Sequence, residues 1–317
     1  MNVRQVIPKD AIPSVENPAF GGSYGGDPAD RMVVLDWADP QRAYPVRYLD
    51  FHEIVNDTVG GRPVAVTWCP LCGSAVVYDR RAAGRTLTFG VSGKLADDDL
   101  VMYDRETDSE WKQSRGEAIA GALEGTTLTV LPAAMLSWER FRERMDGLVM
   151  QPPGGESEAA GEGTEPEPID YDDRPYAGYL ASDRFGLDGL HGEDGREWDR
   201  EDIDPKTVVL GLQQGAAALG VPLPVVESAG GALSVTVGDQ RAVVFATPSG
   251  IHAFENPGYV FESVGDGQFR ADGTCWDGAT GAGDDGRQLR RLPARRLFAF
   301  AWQDDHGPDA FLQAADR

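Results

Sequence analysis

The chain has 317 residues, with 52 Asp and Glu against 29 Lys and Arg, and therefore a formal net charge of −23. A surface this acidic repels phosphate groups, which argues against nucleic acid as a partner and leaves an unidentified small molecule or protein. The amino-terminal stretch lacks the apolar core of a signal peptide, and no run approaches the roughly 20 apolar residues of a membrane span, so we expect a cytoplasmic protein.

Short runs rich in Val, Leu, Tyr and Phe, bounded by Gly, Asp and Pro, recur along the chain and predict strands. In the first half the predicted strands are 32–36, 63–68, 75–78, 86–91, 100–103 and 128–131. In the second half they are 207–212, 233–237, 242–246, 251–254 and 297–302. A helical pattern is convincing only at 137–145, where Ser137 is a suitable N-cap. The sequence therefore predicts a mainly β, or β-rich α+β, protein with few helices.

Similar runs follow one another in the same order in the two halves, which predicts an internal duplication. The clearest pairs are V-V-L at 33–35 and 208–210, V-T-W-C-P at 66–70 and V-F-A-T-P at 244–248, and the L-P-A ends at 131–133 and 292–294. We therefore expect two tandem, related β domains. The first spans 1–150, an acidic linker or insert spans 151–204, and a degenerate second repeat spans 205–317.

The acidic residues are concentrated between the two predicted domains. Residues 151–204 hold 17 Asp and Glu against 4 Arg, a net charge of −13 within the total of −23. Within them, 154–168 is rich in Gly, Glu and Pro, and it is predicted to be mobile because it lacks apolar residues to bury. Such acidity is tolerable where salt screens it, which suggests a salt-adapted source of the haloarchaeal type.

Two of the three cysteines lie close together in V-T-W-C-P-L-C-G-S-A-V-V-Y-D, residues 66–79. A thioredoxin-like dithiol needs a helix after the first cysteine to lower its pKa, and here a glycine and a β-branched run follow. A metal-binding knuckle between two strands fits the pattern better. The equivalent run of the second half has Thr247-Pro248 instead, so packing alone does not require the sulfurs.

A metal site at Cys69 and Cys72 would need further ligands. His52 is a candidate if its segment pairs with the cysteine strand, and an Asp, Met102 or water would complete the set around one transition metal (zinc, copper or iron). The alternative for His52 is a hydrogen-bonded residue that links strand to turn. The third cysteine, Cys275, is expected to be a small buried thiol.

The chain resembles the DUF3179 family, whose name denotes a domain of unknown function. The resemblance rests on A-Y-P-V-R-Y-L-D-F-H-E-I-V-N-D (43–57), T-W-C-P-L-C-G-S-A (67–75), F-G-V-S-G-K-L (89–95), L-V-M-Y-D-R-E-T (100–107), G-E-A-I-A-G (116–121) and, more weakly, R-P-Y-A-G-Y (174–179). It implies no activity. It does imply a shared motif set made of His52, Glu53, Asn56, Asp57, Cys69, Cys72, Lys94, Asp104, Glu106 and Trp111.

Within that set, Glu53, Asp104, Glu106 and Lys94 are the candidates for catalytic residues. Asp104 and Glu106 alternate along a predicted strand, so they are expected to point to the same face. The competing interpretation is that these polar residues form turns and ion pairs that fix the fold. Two functions therefore compete: a metal-binding or thiol-redox protein centred on Cys69 and Cys72, and a non-catalytic binding or scaffold module whose C-P-L-C-G turn is structural. The sequence decides neither an enzymatic activity nor the oligomeric state.

Overall fold

A computed structural model describes residues 1–161, 165–192 and 196–312. It is strand-rich, with 42% strand and 13% helix, which confirms the predicted mainly β class. Within these ranges, the helices are all too short or too polar to cross a membrane.

Seventeen strands and two helices precede the acidic segment. The strands are β1 Val3–Gln5, β2 Val15–Glu16, β3 Phe20–Gly21, β4 Arg31–Leu35, β5 Arg42–Pro45, β6 Ile54–Val59, β7 Arg62–Cys69, β8 Ser74–Asp79, β9 Arg81–Ala82, β10 Arg85–Thr86, β11 Phe89–Ala96, β12 Asp99–Asp104, β13 Glu110–Lys112, β14 Glu117–Ala120, β15 Thr129–Leu131, β16 Ala134–Ser137 and β17 Leu148–Met150. The helices are α1 Val46–His52 and α2 Trp138–Arg144. Ser137 caps α2 by accepting a hydrogen bond from the backbone N–H of Arg140, as predicted.

The rest of the chain adds eleven strands, four α-helices and one 3₁₀ helix in the described residues. They are β18 Glu156–Ser157, the 3₁₀ helix Glu158–Ala160, β19 Glu167–Pro168, α3 Ala177–Ala181, α4 Gly186–Leu190, β20 Val208–Gln214, β21 Ala217–Pro222, α5 Leu223–Ser228, β22 Ala232–Val237, β23 Gln240–Thr247, β24 Gly250–Glu255, β25 Glu262–Gly265, β26 Gln268–Ala271, β27 Thr274–Asp277, β28 Arg295–Phe298 and α6 Ala299–His306.

The central layer is an eight-stranded sheet with the order β2-β6-β7-β8-β28-β20-β21, in which β15 also pairs with β8. One five-stranded sheet, β1-β11-β12-β13-β14, covers one face of its first half; the other, β16-β4-β5-β17-β3, covers the opposite face. The cysteine hairpin β7–β8 therefore lies in the middle layer. Cys69 and Cys72 belong to the core cluster between the central sheet and the sheet of β11 and β12.

The two halves share this central sheet, because Ala75 of β8 pairs with Arg296 of β28. They also repeat the same order and pairing of elements. Strands β4 and β5 pair with each other, as do β20 and β21, and each pair leads through a proline into a short helix. A three-stranded meander follows in each half, and a later strand (β16 or β28) returns to pair with the first.

Two predicted features need correction. The predicted strand 297–302 ends at Phe298, and helix α6 begins at Ala299; residues 298–302 are all buried, so the run has no alternation to distinguish the two structures. The predicted mobile segment 154–168 has ordered ends, where Ser157 is buried and its hydroxyl donates to Phe51 O at 2.8 Å. Residues 162–164 of that segment lie outside the described ranges.

Candidate metal centre

The cysteine knuckle is the turn of the β7–β8 hairpin. Cys69 pairs with Ser74, and four residues, 70–73, form the loop between them. Gly73 has a φ of 53°, and a Cβ there would lie 2.7 Å from the ring of Phe298, so both conformation and space favour glycine. The knuckle is also held from outside, because Phe298 N donates to Cys72 O at 2.8 Å and Tyr179 Oη donates to Leu71 O at 2.7 Å.

Asp99 joins the two cysteines in a group of potential metal ligands. One ligand atom from each of Cys69, Cys72 and Asp99 lies within 4.8 Å of the others. All three residues are at most 1% exposed. Asp99 is the first residue of β12, directly after the two-residue turn that follows β11, so the neighbouring sheet brings it to the knuckle.

One oxygen of Asp99 is satisfied and the other is not. Oδ2 accepts from the backbone N–H of Ser114 at 2.8 Å, whereas Oδ1 is buried without a hydrogen-bond partner among the residues that the structure describes. Burial raises the pKa of Asp99 to about 6, although the ammonium of Lys112 acts in the opposite direction. Lys112 is itself buried and lies 2.8 Å from Asp305. A buried, half-satisfied carboxylate is costly unless a cation or donor completes it.

Both thiols are buried and free. Burial raises the pKa of Cys69 above its usual value, and burial raises the pKa of Cys72 well above its own. The negative charge of Asp99 adds to both shifts. Without a cation the pair is therefore held in the protonated state at neutral pH.

Glu53 is a second buried carboxyl group close to Cys69. It ends α1 with a φ of 55°, and its backbone C=O accepts from Trp68 N at 2.8 Å, so it lies beside the strand that carries Cys69. The pKa of Glu53 is raised to about 8, mainly by burial and further by the negative charges of Glu158 and Asp50. Its Oε2 is buried and has no hydrogen-bond partner within the described ranges. Positive φ in a buried acidic residue stores strain, as is often found at functional sites.

His52 is not part of this group, and Met102, whose thioether is not among the ligand types grouped here, lies in the same core. Nδ1 of His52 is 2.9 Å from Pro13 O and Nε2 is 2.6 Å from Tyr171 Oη, so both ring nitrogens have protein partners. Since a carbonyl only accepts, Nδ1 carries the proton and Nε2 accepts from the tyrosine. Met102 is buried in the same core cluster as the two sulfurs.

The remaining motif residues make structural contacts. Asn56 bonds both backbone groups of Phe89, at 2.8 and 2.9 Å, and so joins two sheets. The other polar motif residues also have protein partners. Asp57 accepts from Arg42 and Tyr44, and Asp104 accepts from Thr107 and Trp111. Glu106 accepts from Thr88 N, and Lys94 forms an ion pair with Glu110. The predicted shared face of Asp104 and Glu106 is wrong, because β12 ends at Asp104. Cys275 is partly exposed and not fully buried as predicted.

A family model described as "Protein of unknown function (DUF3179)" matches residues 9–309, nearly the whole chain. The chain belongs to this family. The DUF3179 match extends across both halves and the acidic segment, and so beyond the first 150 residues in which most of the motifs lie. No curated protein and no solved structure matches the chain.

Proposed function

We propose that the protein holds one transition metal ion between Cys69, Cys72 and Asp99, and that zinc fits this donor set best. The observation that carries the proposal is the buried Asp99 oxygen without a partner beside two buried thiols. Zinc accepts thiolate and carboxylate ligands together, whereas magnesium and calcium prefer oxygen alone. Two thiolates would balance the charge of a divalent ion, which removes the penalty that burial imposes on their ionised state.

Three protein ligands leave a fourth position open, the arrangement typical of catalytic zinc sites. A bound ion would supply a Lewis acid there. Glu53 is the side chain suited to hold or move a proton beside it, because its buried Oε2 has no partner in the described part of the chain and its pKa is raised to about 8. If an ion were held there, Cys69, Cys72 and Asp99 would be its ligands and Glu53 would handle the proton, which favours an enzyme over a purely structural site.

Other interpretations explain less. A dithiol centre needs a thiolate at neutral pH, and burial raises the pKa of both cysteines instead. A purely structural interpretation of the motif residues accounts for Asn56, whose side chain bonds both backbone groups of Phe89. It gives no reason for a buried carboxylate whose ligand atom lies within 4.8 Å of two buried thiols.

The element order of the second half supports the inference that it is a copy of the first that lost this centre. Thr247 ends β23 where Cys69 ends β7. Gln268 begins β26 after a two-residue turn, in the place of Asp99 at the start of β12. The donor positions are thus all replaced in the second half.

Metal analysis of protein purified without chelator tests the proposal. We expect about one zinc-class ion per chain, as in a mononuclear site. Cys69→Ser and Asp99→Asn should lose it while keeping the far-UV circular dichroism of the wild type. Cys275→Ser is the matched control, since that thiol lies outside the group, and His52→Ala should keep the metal because its ring is already hydrogen-bonded.

Reconstitution with cobalt(II) gives a second readout, since thiolate ligation produces charge-transfer absorption that Cys69→Ser should abolish. If wild-type protein binds neither zinc nor cobalt, the metal proposal is wrong. Reversible formation of a Cys69–Cys72 disulfide in such protein, shown by thiol titration, would then establish the dithiol alternative.

A further inference from the structure

A cavity of about 230 Å³ lies between the start of α1 and residues 174–180. Its polar lining consists of Asp30, Arg31, Arg47, Asp50, Arg174 and Tyr176. Three arginines around one small cavity are unusual in a chain with a net charge of −23 and only 29 basic residues. The lining thus carries three guanidinium groups and two carboxylates, an excess of one positive charge on a protein with a net charge of −23.

The cavity adjoins the cysteine knuckle through three contacts. Asp50, in its wall, accepts from Trp68 Nε1 at 2.8 Å, and Trp68 directly precedes Cys69. Leu180, also in the wall, packs against the core cluster that contains both sulfurs. Its neighbour Tyr179 donates to Leu71 O in the knuckle itself. The cavity wall and the candidate metal centre are thus connected through Trp68 of β7, Tyr179 and the shared core cluster.

The arginines differ in how far they are neutralised. Arg174 pairs with Asp30 at 2.7 Å, and Arg47 pairs with Asp172 and Asp30. Arg31 has no carboxylate within ion-pair distance among residues 1–161, 165–192 and 196–312. Behind it lies Arg296, which donates to Gly73 O of the knuckle; burial and the charge of Arg31 lower the pKa of Arg296 to about 9. Arg31 and the carboxylate of Asp50 interact electrostatically within the same cavity lining, without an ion-pair contact between them among the described residues.

We propose that this cavity binds a small oxyanion, the carboxylate or phosphate group of a small molecule, with Arg31 as its main contact and Arg174 as the second. Guanidinium groups bind such oxyanions through paired, charge-assisted hydrogen bonds. That the oxyanion belongs to the substrate of the neighbouring centre rests on the proposed metal function; the anion site itself does not.

Calorimetric titration tests the site with inorganic phosphate and, separately, with acetate, in chloride buffers of equal ionic strength. We expect saturable binding of at least one of the two anions, and the arm that binds identifies the group. Arg31→Gln should weaken that binding at least about tenfold, the effect of losing a charge-assisted hydrogen bond. Arg270→Gln is the matched control, because Arg270 is an exposed arginine in β26 of the other half.

If neither anion binds the wild type, or if Arg31→Gln and Arg270→Gln weaken binding equally, the proposal is wrong. Failure of this proposal and failure of the metal proposal are distinguishable. Arg31→Gln should retain the bound metal, and Asp99→Asn should lose the metal yet still bind the anion.

Discussion

The two central hairpins, one in each half, differ where their strands turn. In β7–β8 four residues separate Cys69 from Ser74, whereas in β23–β24 two residues separate Thr247 from Gly250. The two-residue turn has no third position, which is the position that Cys72 occupies in the four-residue turn. The strands themselves are retained, so the longer loop is not needed to form the hairpin.

The buried ionisable groups of the halves differ as well. The first half buries the acid Glu53, with a pKa raised to about 8. The second buries the base His252, whose pKa burial lowers well below its usual value, and which lies 3.2 Å from the hydroxyl of Thr247. The four-residue loop with its two cysteines, the buried acid Glu53 and the carboxylate of Asp99 all belong to the first half.

Asn56→Ala should produce the largest change in stability. It leaves the buried N–H and C=O of Phe89 without their partners, so we expect the free energy of unfolding to fall by about 2–4 kcal/mol. Among the described residues, the side chain of Asn256 in the second half bonds within its own loop and to Ser234, and Asn256→Ala should cost less, about 1 kcal/mol. Urea unfolding measures both; equal losses would mean that Asn56 does not join the sheets.

Glu53 in the first half and His252 in the second should contribute to the pH dependence of stability with opposite signs. For Glu53 the folded pKa lies above the unfolded one, so its contribution is complete below about pH 4.5 and is lost as pH rises toward about 8. In metal-free protein, stability should fall by up to about 1.4 kcal/mol per pH unit between about pH 6.5 and 8. Glu53→Gln should flatten this slope, as followed by urea unfolding at each pH.

His252 provides the comparison at acid pH. Its folded pKa is depressed, so its contribution is present above about pH 6.5 and is lost as pH falls. His252→Gln should flatten the slope on the acid side and leave the alkaline side unchanged. If both variants change the slope on the same side of the stability–pH profile, the direction assigned to the pKa shift of one of these groups is wrong.

Local features of this fold could be predicted from the sequence, and long-range ones could not. The Ser137 cap and the β-turn-β form of the cysteine hairpin follow from neighbouring residues, and both are confirmed. The sequence analysis allows an Asp as a further ligand but does not point to Asp99, because Asp99 comes from a strand of a different sheet and no spacing rule relates it to Cys72. Three successive aspartates at 97–99, the last one opening an apolar strand, were the available signal.

The sequence pattern does not predict helix α1. If the run V-R-Y-L-D-F-H paired with the cysteine strand, His52 would lie one strand away from Cys69, but the run forms a helix. In the structure the residue that follows the helix, Glu53, faces the knuckle strand, and His52 bonds to Pro13 and Tyr171 instead. A seven-residue helix that packs through most of its residues has too little amphipathic pattern to be found by periodicity.

The smallest expected effect concerns the uneven distribution of charge. Because residues 151–204 carry −13 of the total −23, unscreened repulsion should be greatest there. We expect the melting temperature to rise by about 2–4 °C between low salt and about 1 M salt. Neutralising two exposed carboxylates of this segment, Glu167→Gln with Asp173→Asn, should reduce that rise more than Glu124→Gln with Glu139→Gln does in the first half. Calorimetry at matched pH gives the comparison. Equal reductions would show that the repulsion is spread over the whole surface and not concentrated between the halves, and a melting temperature independent of salt would show that the local ion pairs already balance it.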